Sequence, residues 1–93
     1  MLKPHVHVDI RVTGVVQGVW YRKSACEEGL RLGLAGFAQN LPDGSVAIEA
    51  EGDKEVLDEF VRWCSTGPPL AKVDHVEVQE REVIGHVGFT ILR

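Results

Sequence analysis

The sequence predicts an α+β fold of the ferredoxin-like βαββαβ type, in which a mostly antiparallel sheet carries two helices on one face and a short extra C-terminal strand. Three observations lead to this prediction. Residues 5–13 alternate between apolar and polar side chains, as a half-buried strand does. Residues 21–33 and 54–64 repeat apolar side chains at helical spacing. Between them lies the hairpin signal Pro42-Asp43-Gly44. The 93 residues suit a single domain, residues 1–93, with one core.

The first strand and the first helix each show one apolar face. In the strand HVHVDIRVT, the residues predicted to face inward are Val6, Val8, Ile10 and Val12. The residues predicted to face solvent are His5, His7, Asp9 and Arg11. In the helix, the inward positions are Tyr21, Ala25, Gly29 and Leu32, and Gly33 can end it. A glycine inside a helix costs about 1 kcal/mol relative to alanine. We therefore expect close packing at Gly29.

The second half of the chain repeats this pattern. After the turn, Val46, Ile48 and Ala50 are predicted to face inward, and Ala47, Glu49 and Glu51 outward. Asp53 is a suitable N-cap for the helix of residues 54–64, whose apolar stripe comprises Val56, Leu57, Phe60, Val61 and Cys64. Residues 66–69, TGPP, break this helix. The fourth strand, residues 72–82, turns Val76 and Val78 inward, and the short fifth, residues 88–93, turns Phe89 and Ile91 inward.

Composition and charge narrow the range of partners. The net charge of −4 disfavours sustained binding to nucleic acid, which needs a basic surface. No apolar run approaches the ~20 residues of a membrane span. Pro4, His5 and His7 interrupt the N-terminal segment, which lacks a signal-peptide apolar region, so the cytoplasm is the expected location. The spacing of Cys26 and Cys64 fits two reduced thiols better than a metal knuckle or a disulfide.

The predicted topology brings two distant segments together. Strands 1 and 2 run in the same direction because the first helix returns the chain between them. Their carboxyl ends, at Gly14 and at Gln39-Asn40, therefore lie at one edge of the sheet. Arg22, just after the first of these ends, and Asn40 are expected to meet there.

The loop GVVQGVWYR, residues 14–22, has few polar side chains but leads into a helix. Helix N-termini leave backbone N–H groups unpaired, and these groups attract anions. Gly14 and Gly18 allow the backbone to curl around a ligand. Arg22, in the first helical turn, adds a guanidinium suited to phosphate. The loop therefore suggests a site for a small tetrahedral oxyanion. A tight turn with a solvated arginine is the competing interpretation.

Asn40 strengthens the hypothesis of an oxyanion site. Its amide can donate a hydrogen bond to one oxygen while it accepts one from water, which suits the positioning of a nucleophilic water. A turn-forming asparagine before Leu-Pro-Asp-Gly is the alternative. Gln17 either lines the same mouth or points to solvent.

The motifs GVVQGVWYR and GFAQNLPDGSV, followed by GPPLAKVDHVEV and GFTILR, resemble the acylphosphatase family over nearly the whole chain. The resemblance implies a small monomeric enzyme that hydrolyses acyl phosphates to a carboxylate and inorganic phosphate without metal, cofactor or covalent intermediate. Arg22 matches the family's phosphate-binding arginine, and Asn40 matches the asparagine that orients water. The matching amide cradle comprises Val16, Gln17, Gly18, Val19, Trp20 and Tyr21. Phe37, Gly29 and Trp20 depart from the family's commoner residues.

Three other interpretations remain open at this point. The chain could hold a phosphate or carbamoyl phosphate without hydrolysing it, as a module of a larger machine. An RNA-recognition domain of the same fold would need aromatic side chains on the outer face of the sheet, where this chain has polar ones. His5 and His7 have the spacing to share a metal, but with no third ligand apparent they are predicted to be surface histidines. His75 is predicted to face solvent and His86 to lie in a loop.

Overall fold

A computed structural model describes residues 4–93, and it has the predicted element order and fold class. The elements are β1 (His5–Val15), α1 (Tyr21–Arg31), β2 (Ala35–Asn40), β3 (Val46–Asp53), α2 (Lys54–Cys64), β4 (Lys72–Arg81) and β5 (Phe89–Leu92). The strands form one sheet in the order β4-β1-β3-β2-β5. All pairings are antiparallel except that of β2 with β5. Within residues 4–93, no helix is long and apolar enough to cross a membrane.

The core lies between the sheet and the two helices. Its centre comes from the inward positions predicted for β1 and β3, and the buried members of those sets are Val8, Ile10, Val12, Val46, Ile48 and Ala50. The two helices complete the core with their own buried side chains, which are Tyr21, Ala25, Leu57, Phe60 and Cys64. The strict alternation along both strands explains this arrangement, since successive side chains point to opposite faces of a sheet.

The ends of α1 and of the hairpin follow the predicted signals. Gly33, with a φ of 75°, is the residue after the C-cap, and its N–H donates to Leu30 O at 3.1 Å. The N–H of Leu34 donates to Gly29 O at 2.8 Å, which completes a Schellman motif. In the hairpin turn, Ser45 N donates to Asp43 Oδ1 at 3.0 Å. Asp53 is the N-cap residue of α2, but its side chain makes no capping hydrogen bond.

Two residues that face inward as predicted are nevertheless exposed at the edges of the sheet, although Val78 pairs with buried Ile10 and Ile91 with buried Ala38. Val78 is 46% exposed and Ile91 is 42% exposed. β4 is an edge strand whose Val73 and Val76 reach the core, and Val78 lies beyond that part. Ile91 belongs to the opposite edge strand, near its end. Alternation with a period of two identifies which face of the sheet a side chain is on. How much of that face is buried depends on how far the helices extend over it.

The prediction that the outer face of the sheet is exposed to solvent is wrong for His7 and Glu51, which are both buried. The segment after β4, residues 82–88, crosses this face and covers them; we call it the covering loop. Glu51 accepts hydrogen bonds from the backbone N–H groups of Ile84, Gly85 and His86 at 2.6, 3.0 and 2.9 Å. His75 is exposed and His86 lies in the covering loop, as predicted.

Gly29 packs against β5, as its position inside a helix suggests. A Cβ placed there would lie 2.4 Å from Cδ2 of Phe89 and 2.5 Å from its Cε2. Phe89 is buried and its ring packs edge-on against Phe60, at 5.7 Å between centroids. The ring therefore has little room to move away.

We predict that Gly29→Ala destabilises the protein. Overpacking costs about 1–3 kcal/mol, which outweighs the gain in helix propensity of about 1 kcal/mol. Urea unfolding measures the difference. In a Phe89→Leu background the smaller side chain relieves the clash, so the same substitution should become neutral or stabilising. Equal destabilisation in both backgrounds would show that Phe89 is not the cause.

The covering loop makes stability sensitive to acid through Glu51. Burial alone would raise the pKa of Glu51, but the three backbone donors and His7 lower it from 4.5 to about 2. Because the folded pKa lies below the unfolded one, this carboxylate contributes full stability above pH 4.5 and loses it as the pH falls towards 2.

We predict that Glu51→Gln lowers the free energy of unfolding at pH 7 by about 1–3 kcal/mol, since the amide cannot accept all four hydrogen bonds. The variant should also lose stability less steeply than the wild type between pH 5 and pH 2. Chemical unfolding at each pH measures both effects. Glu80→Gln, an exposed position on β4, should follow the wild-type curve. Identical slopes for Glu51→Gln and the wild type would contradict this account.

Candidate active site

The loop between β1 and α1 leaves a series of backbone donors unpaired. The first hydrogen bond into the helix runs from Ser24 N to Trp20 O at 3.0 Å. Among residues 4–93, no acceptor receives a hydrogen bond from the backbone N–H groups of residues 16–21. These donors precede a helix N-terminus, where the helix dipole also favours negative charge.

Positive φ angles shape this loop at three residues. Gly18 has a φ of 74°, and a Cβ there would meet nothing within 4 Å. Trp20, the N-cap of α1, has a φ of 69°, which costs a non-glycine residue about 1–2 kcal/mol. Gly14 has a φ of 124° at a register shift between β1 and β4, and a Cβ there would lie 2.2 Å from Lys72 O. Gly14 therefore also allows β4 to approach the start of the loop.

Buried side chains anchor the loop to the core. Val16 and Tyr21 are buried, and Val19 packs against the core. The Tyr21 hydroxyl donates to Cys64 O, the last residue of α2, at 2.7 Å. Burial raises the pKa of Tyr21 far above its ordinary value, so the hydroxyl stays protonated. Trp20 instead projects outward with 67% exposure, and Lys23 Nζ lies 5.7 Å from its ring centroid.

Gln17 serves to fasten the loop to the hairpin. Its Nε2 donates to Leu41 O and to Ser45 O, each at 2.8 Å. Both interpretations made from the sequence, a lining residue or a solvent-facing one, are therefore wrong. The side chain ties the loop after β1 to the turn after β2.

Arg22 and Asn40 line a single cleft at the end of the sheet. The lining residues are Val16, Gly18, Trp20, Tyr21, Arg22, Lys23, Asn40, Ile91 and Arg93. Strand register explains the meeting, because Val46 of β3 pairs with Val12 of β1 on one side and with Asn40 of β2 on the other. Four of the six predicted cradle residues contribute to the lining, whereas Gln17 and Val19 do not.

The two polar side chains have different surroundings. Arg22 Nη1 donates to Leu92 O at 3.0 Å, which leaves other guanidinium donors available. The Oδ1 atom of Asn40 is buried and accepts no hydrogen bond from any residue in 4–93. Buried polar atoms normally have a partner, so such an acceptor marks a place where a ligand or water is expected.

Sequence reasoning missed Lys23, Ile91 and Arg93. Lys23 follows Arg22 in the first turn of α1, and this position could have indicated that Lys23 also lines the cleft. Ile91 and Arg93 reach the cleft because β5 runs parallel to β2, with Leu92 beside Gln39. A run of four strand residues does not reveal its own direction, so this placement had no clear signal in the sequence.

Fold and cleft together place the chain among small ferredoxin-like α+β proteins with a polar cleft where β1 and β2 end. The acylphosphatase family model matches residues 8–91. The chain thus belongs to the acylphosphatase family.

Individual relatives agree with this assignment. The chain is 49% identical over 87 residues to an acylphosphatase from Methylococcus capsulatus, covering 92% of this chain and 95% of that protein. It is similar to the crystal structure of acylphosphatase from Bacillus subtilis, with a TM-score of 0.92, 38% identity and coverage of 95% and 99%. It is also similar to part of full-length HypF in a phosphate- and nucleotide-bound form, with a TM-score of 0.91, 28% identity and coverage of 100% of this chain but 12% of that one.

The activity follows from these relatives: the protein is an acylphosphatase, which hydrolyses the carboxyl–phosphate bond of acyl phosphates. The alternative of a non-hydrolysing phosphate or carbamoyl phosphate module is not favoured. The relatives named acylphosphatase match over nearly their whole length, whereas HypF matches over a small part of its own.

We predict that Gln17→Leu destabilises the protein by about 1–3 kcal/mol, since two hydrogen bonds are lost, although Leu41 O and Ser45 O each keep a backbone donor. The loop would also lose its attachment to the hairpin, so the KM for an acyl phosphate should rise. Urea unfolding and steady-state kinetics measure these effects. Gln79→Leu on exposed β4 is the control and should change neither quantity. An unaltered KM in Gln17→Leu would show that the loop keeps its shape without this contact.

Proposed function

We propose that Arg22 and the loop amides bind the phosphoryl group, and that Asn40 positions the attacking water. The meeting of Arg22 and Asn40 in the lining of one cleft carries this proposal, and the Oδ1 atom of Asn40 has no hydrogen-bond partner among residues 4–93. A water held by the Asn40 side-chain amide would lie beside a phosphoryl group held by the guanidinium and the backbone N–H groups. Phosphoryl transfer depends mainly on such positioning and on charge stabilisation.

The hydrolysis then needs no covalent intermediate. The water oxygen forms a bond to phosphorus, and the bond from phosphorus to the acyl oxygen breaks with its electron pair leaving on the carboxylate. A phosphoryl oxygen takes the proton of the water. The products are a carboxylate and inorganic phosphate. Among the lining residues that belong to 4–93, only Tyr21 has a hydroxyl, which is buried and directed to Cys64 O.

We propose a reaction without metal or cofactor on the basis of the same lining. Carboxylate, imidazole and thiolate groups are the usual metal ligands in proteins. The cleft residues within 4–93 include none of these groups and three cations, Arg22, Lys23 and Arg93. Such a set suits an anionic substrate directly.

We propose that the protein is a monomer located in the cytoplasm. Arg22, Asn40 and the loop amides of a single chain meet in the cleft, so one copy supplies every group that the proposed reaction uses. Cys26 and Cys64 are unpaired, which suits a reducing compartment. The net charge of −4 also argues against a nucleic-acid partner.

We predict that Arg22→Gln and Asn40→Ala affect turnover of benzoyl phosphate differently. Loss of the guanidinium should raise the KM and the inhibition constant for inorganic phosphate together, by about 10-fold to 100-fold. Asn40→Ala should lower kcat by about 100-fold or more while phosphate inhibition stays nearly unchanged. Steady-state kinetics with phosphate as inhibitor separates the two effects, in buffer with a chelator.

Arg31→Gln is the matched control, because it removes the same charge from the exposed far end of α1. It should leave both constants within about twofold, since exposed charges at this distance are screened. Full kcat in Asn40→Ala would disprove the water-positioning role. Phosphate binding with no turnover in the wild-type protein would instead support the non-hydrolysing module.

A further inference from the structure

Five ionisable side chains converge on the outer face of the sheet near the start of β1. They are His7, Asp9, Glu49, Glu51 and His86, here called the His7 cluster. His7 is fully buried, whereas the carboxylates of Asp9 and Glu49 are each 30% exposed. The cluster lies about 20 Å from the cleft, as seven strand residues separate His7 from Gly14. Hydrolysis of an acyl phosphate makes no use of it.

The hydrogen bonds of His7 require a positive charge beside its ring. Its Nδ1 lies 2.7 Å from Oε2 of Glu51, a carboxylate that can only accept, so Nδ1 carries a hydrogen. Its Nε2 lies 2.8 Å from Asp9 Oδ1 and 3.6 Å from Glu49 Oε1. A neutral ring would direct the Nε2 lone pair at two anionic oxygens. A proton on Nε2 satisfies this arrangement through hydrogen bonds, and a metal ion at the same place would bond to all three atoms directly.

We propose that the His7 cluster is a binding site for a divalent transition-metal ion of the zinc class. The ligands are His7 Nε2 and one carboxylate oxygen each from Asp9 and Glu49, which lie within 4.8 Å of one another. Tetrahedral zinc with bonds of 2.0–2.1 Å separates its ligand atoms by about 3.3 Å. The distances of 2.8 and 3.6 Å bracket that value. A solvent water takes the fourth position, on the exposed side of the carboxylates.

Each of the three ligands has a second partner that fixes its orientation. Glu51 holds Nδ1 of His7, in the carboxylate–histidine–metal arrangement common in zinc proteins. Arg81 Nε lies 2.8 Å from Asp9 Oδ2, which leaves Oδ1 for the metal. His86 Nε2 lies 3.0 Å from Glu49 Oε1 and can donate to it. Metal ligands in proteins are supported in this way, and isolated surface acids are not.

Backbone pairing sets this geometry. His7 is directly opposite Glu51, and Asp9 is directly opposite Glu49, in the register of β1 with β3. Imidazole together with carboxylate favours zinc, cobalt or nickel over magnesium and calcium, which prefer oxygen ligands alone. His5 is exposed, as the sequence predicted, but His7 is buried, and the two ligands that sequence reasoning did not find are Asp9 of β1 and Glu49 of β3.

The test is to titrate the chelator-treated protein with zinc, using calorimetry for binding and thermal unfolding for stability. Wild-type protein should bind one zinc ion, and the midpoint of its thermal unfolding should rise by about 10–20 °C at a zinc concentration one hundred times Kd. Asp9→Asn and Glu49→Gln should each weaken binding at least about tenfold, and the double variant should abolish it. Cobalt should give visible d–d absorption in the wild type and lose it in the double variant.

His75→Gln is the matched control. It removes an exposed histidine whose Nε2 lies 3.7 Å from Glu77 Oε1, with no third ligand. Binding and the shift in midpoint should remain at wild-type values in this variant. The proposal is overturned if the wild type binds no zinc, if the double variant binds as tightly as the wild type, or if His75→Gln abolishes binding.

Discussion

The position of β3 between β1 and β2 is the constraint on which the other features depend. Two antiparallel pairings with β3 make β1 and β2 run in the same direction. At one end of these pairings Val46 brings Asn40 into line with the end of β1, and the loop amides and Arg22 follow. At the other end, Glu49 and Glu51 face Asp9 and His7. A slip of one residue would exchange the two faces of the sheet and separate both groups.

The cleft and the His7 cluster use opposite kinds of chemistry. The cleft combines backbone N–H groups with cations and has no acidic lining residue among those described, so it suits an anion. The cluster combines imidazole with carboxylates and suits a cation. Because about 20 Å separates the cleft from the cluster, each keeps its own electrostatic environment in a protein with a net charge of −4.

Much of the fold and part of the site could be predicted from the sequence. Alternation and helical spacing were sufficient for the elements, and topology alone brought Arg22 and Asn40 to one edge. The burial of His7 and Glu51 was not predictable, because alternation gives the face of a residue but not what covers that face. The covering loop has no periodic pattern that would reveal its path. The contact of the Gln17 side chain with the hairpin was missed for a related reason, since its two acceptors are backbone carbonyl groups, which every residue has.

The contact between Arg22 and the carbonyl of Leu92 determines when the cleft can form during synthesis of the chain on the ribosome. The loop and Asn40 emerge early in synthesis, but β5 pairs with β2 only after the covering loop has crossed the sheet. Until then the guanidinium lacks its acceptor, and the wall formed by Ile91 and Arg93 is missing. A nascent chain can therefore form the pairings of β1 to β4 before it has a complete cleft, and the cleft is complete only once β5 and Arg93 are in place.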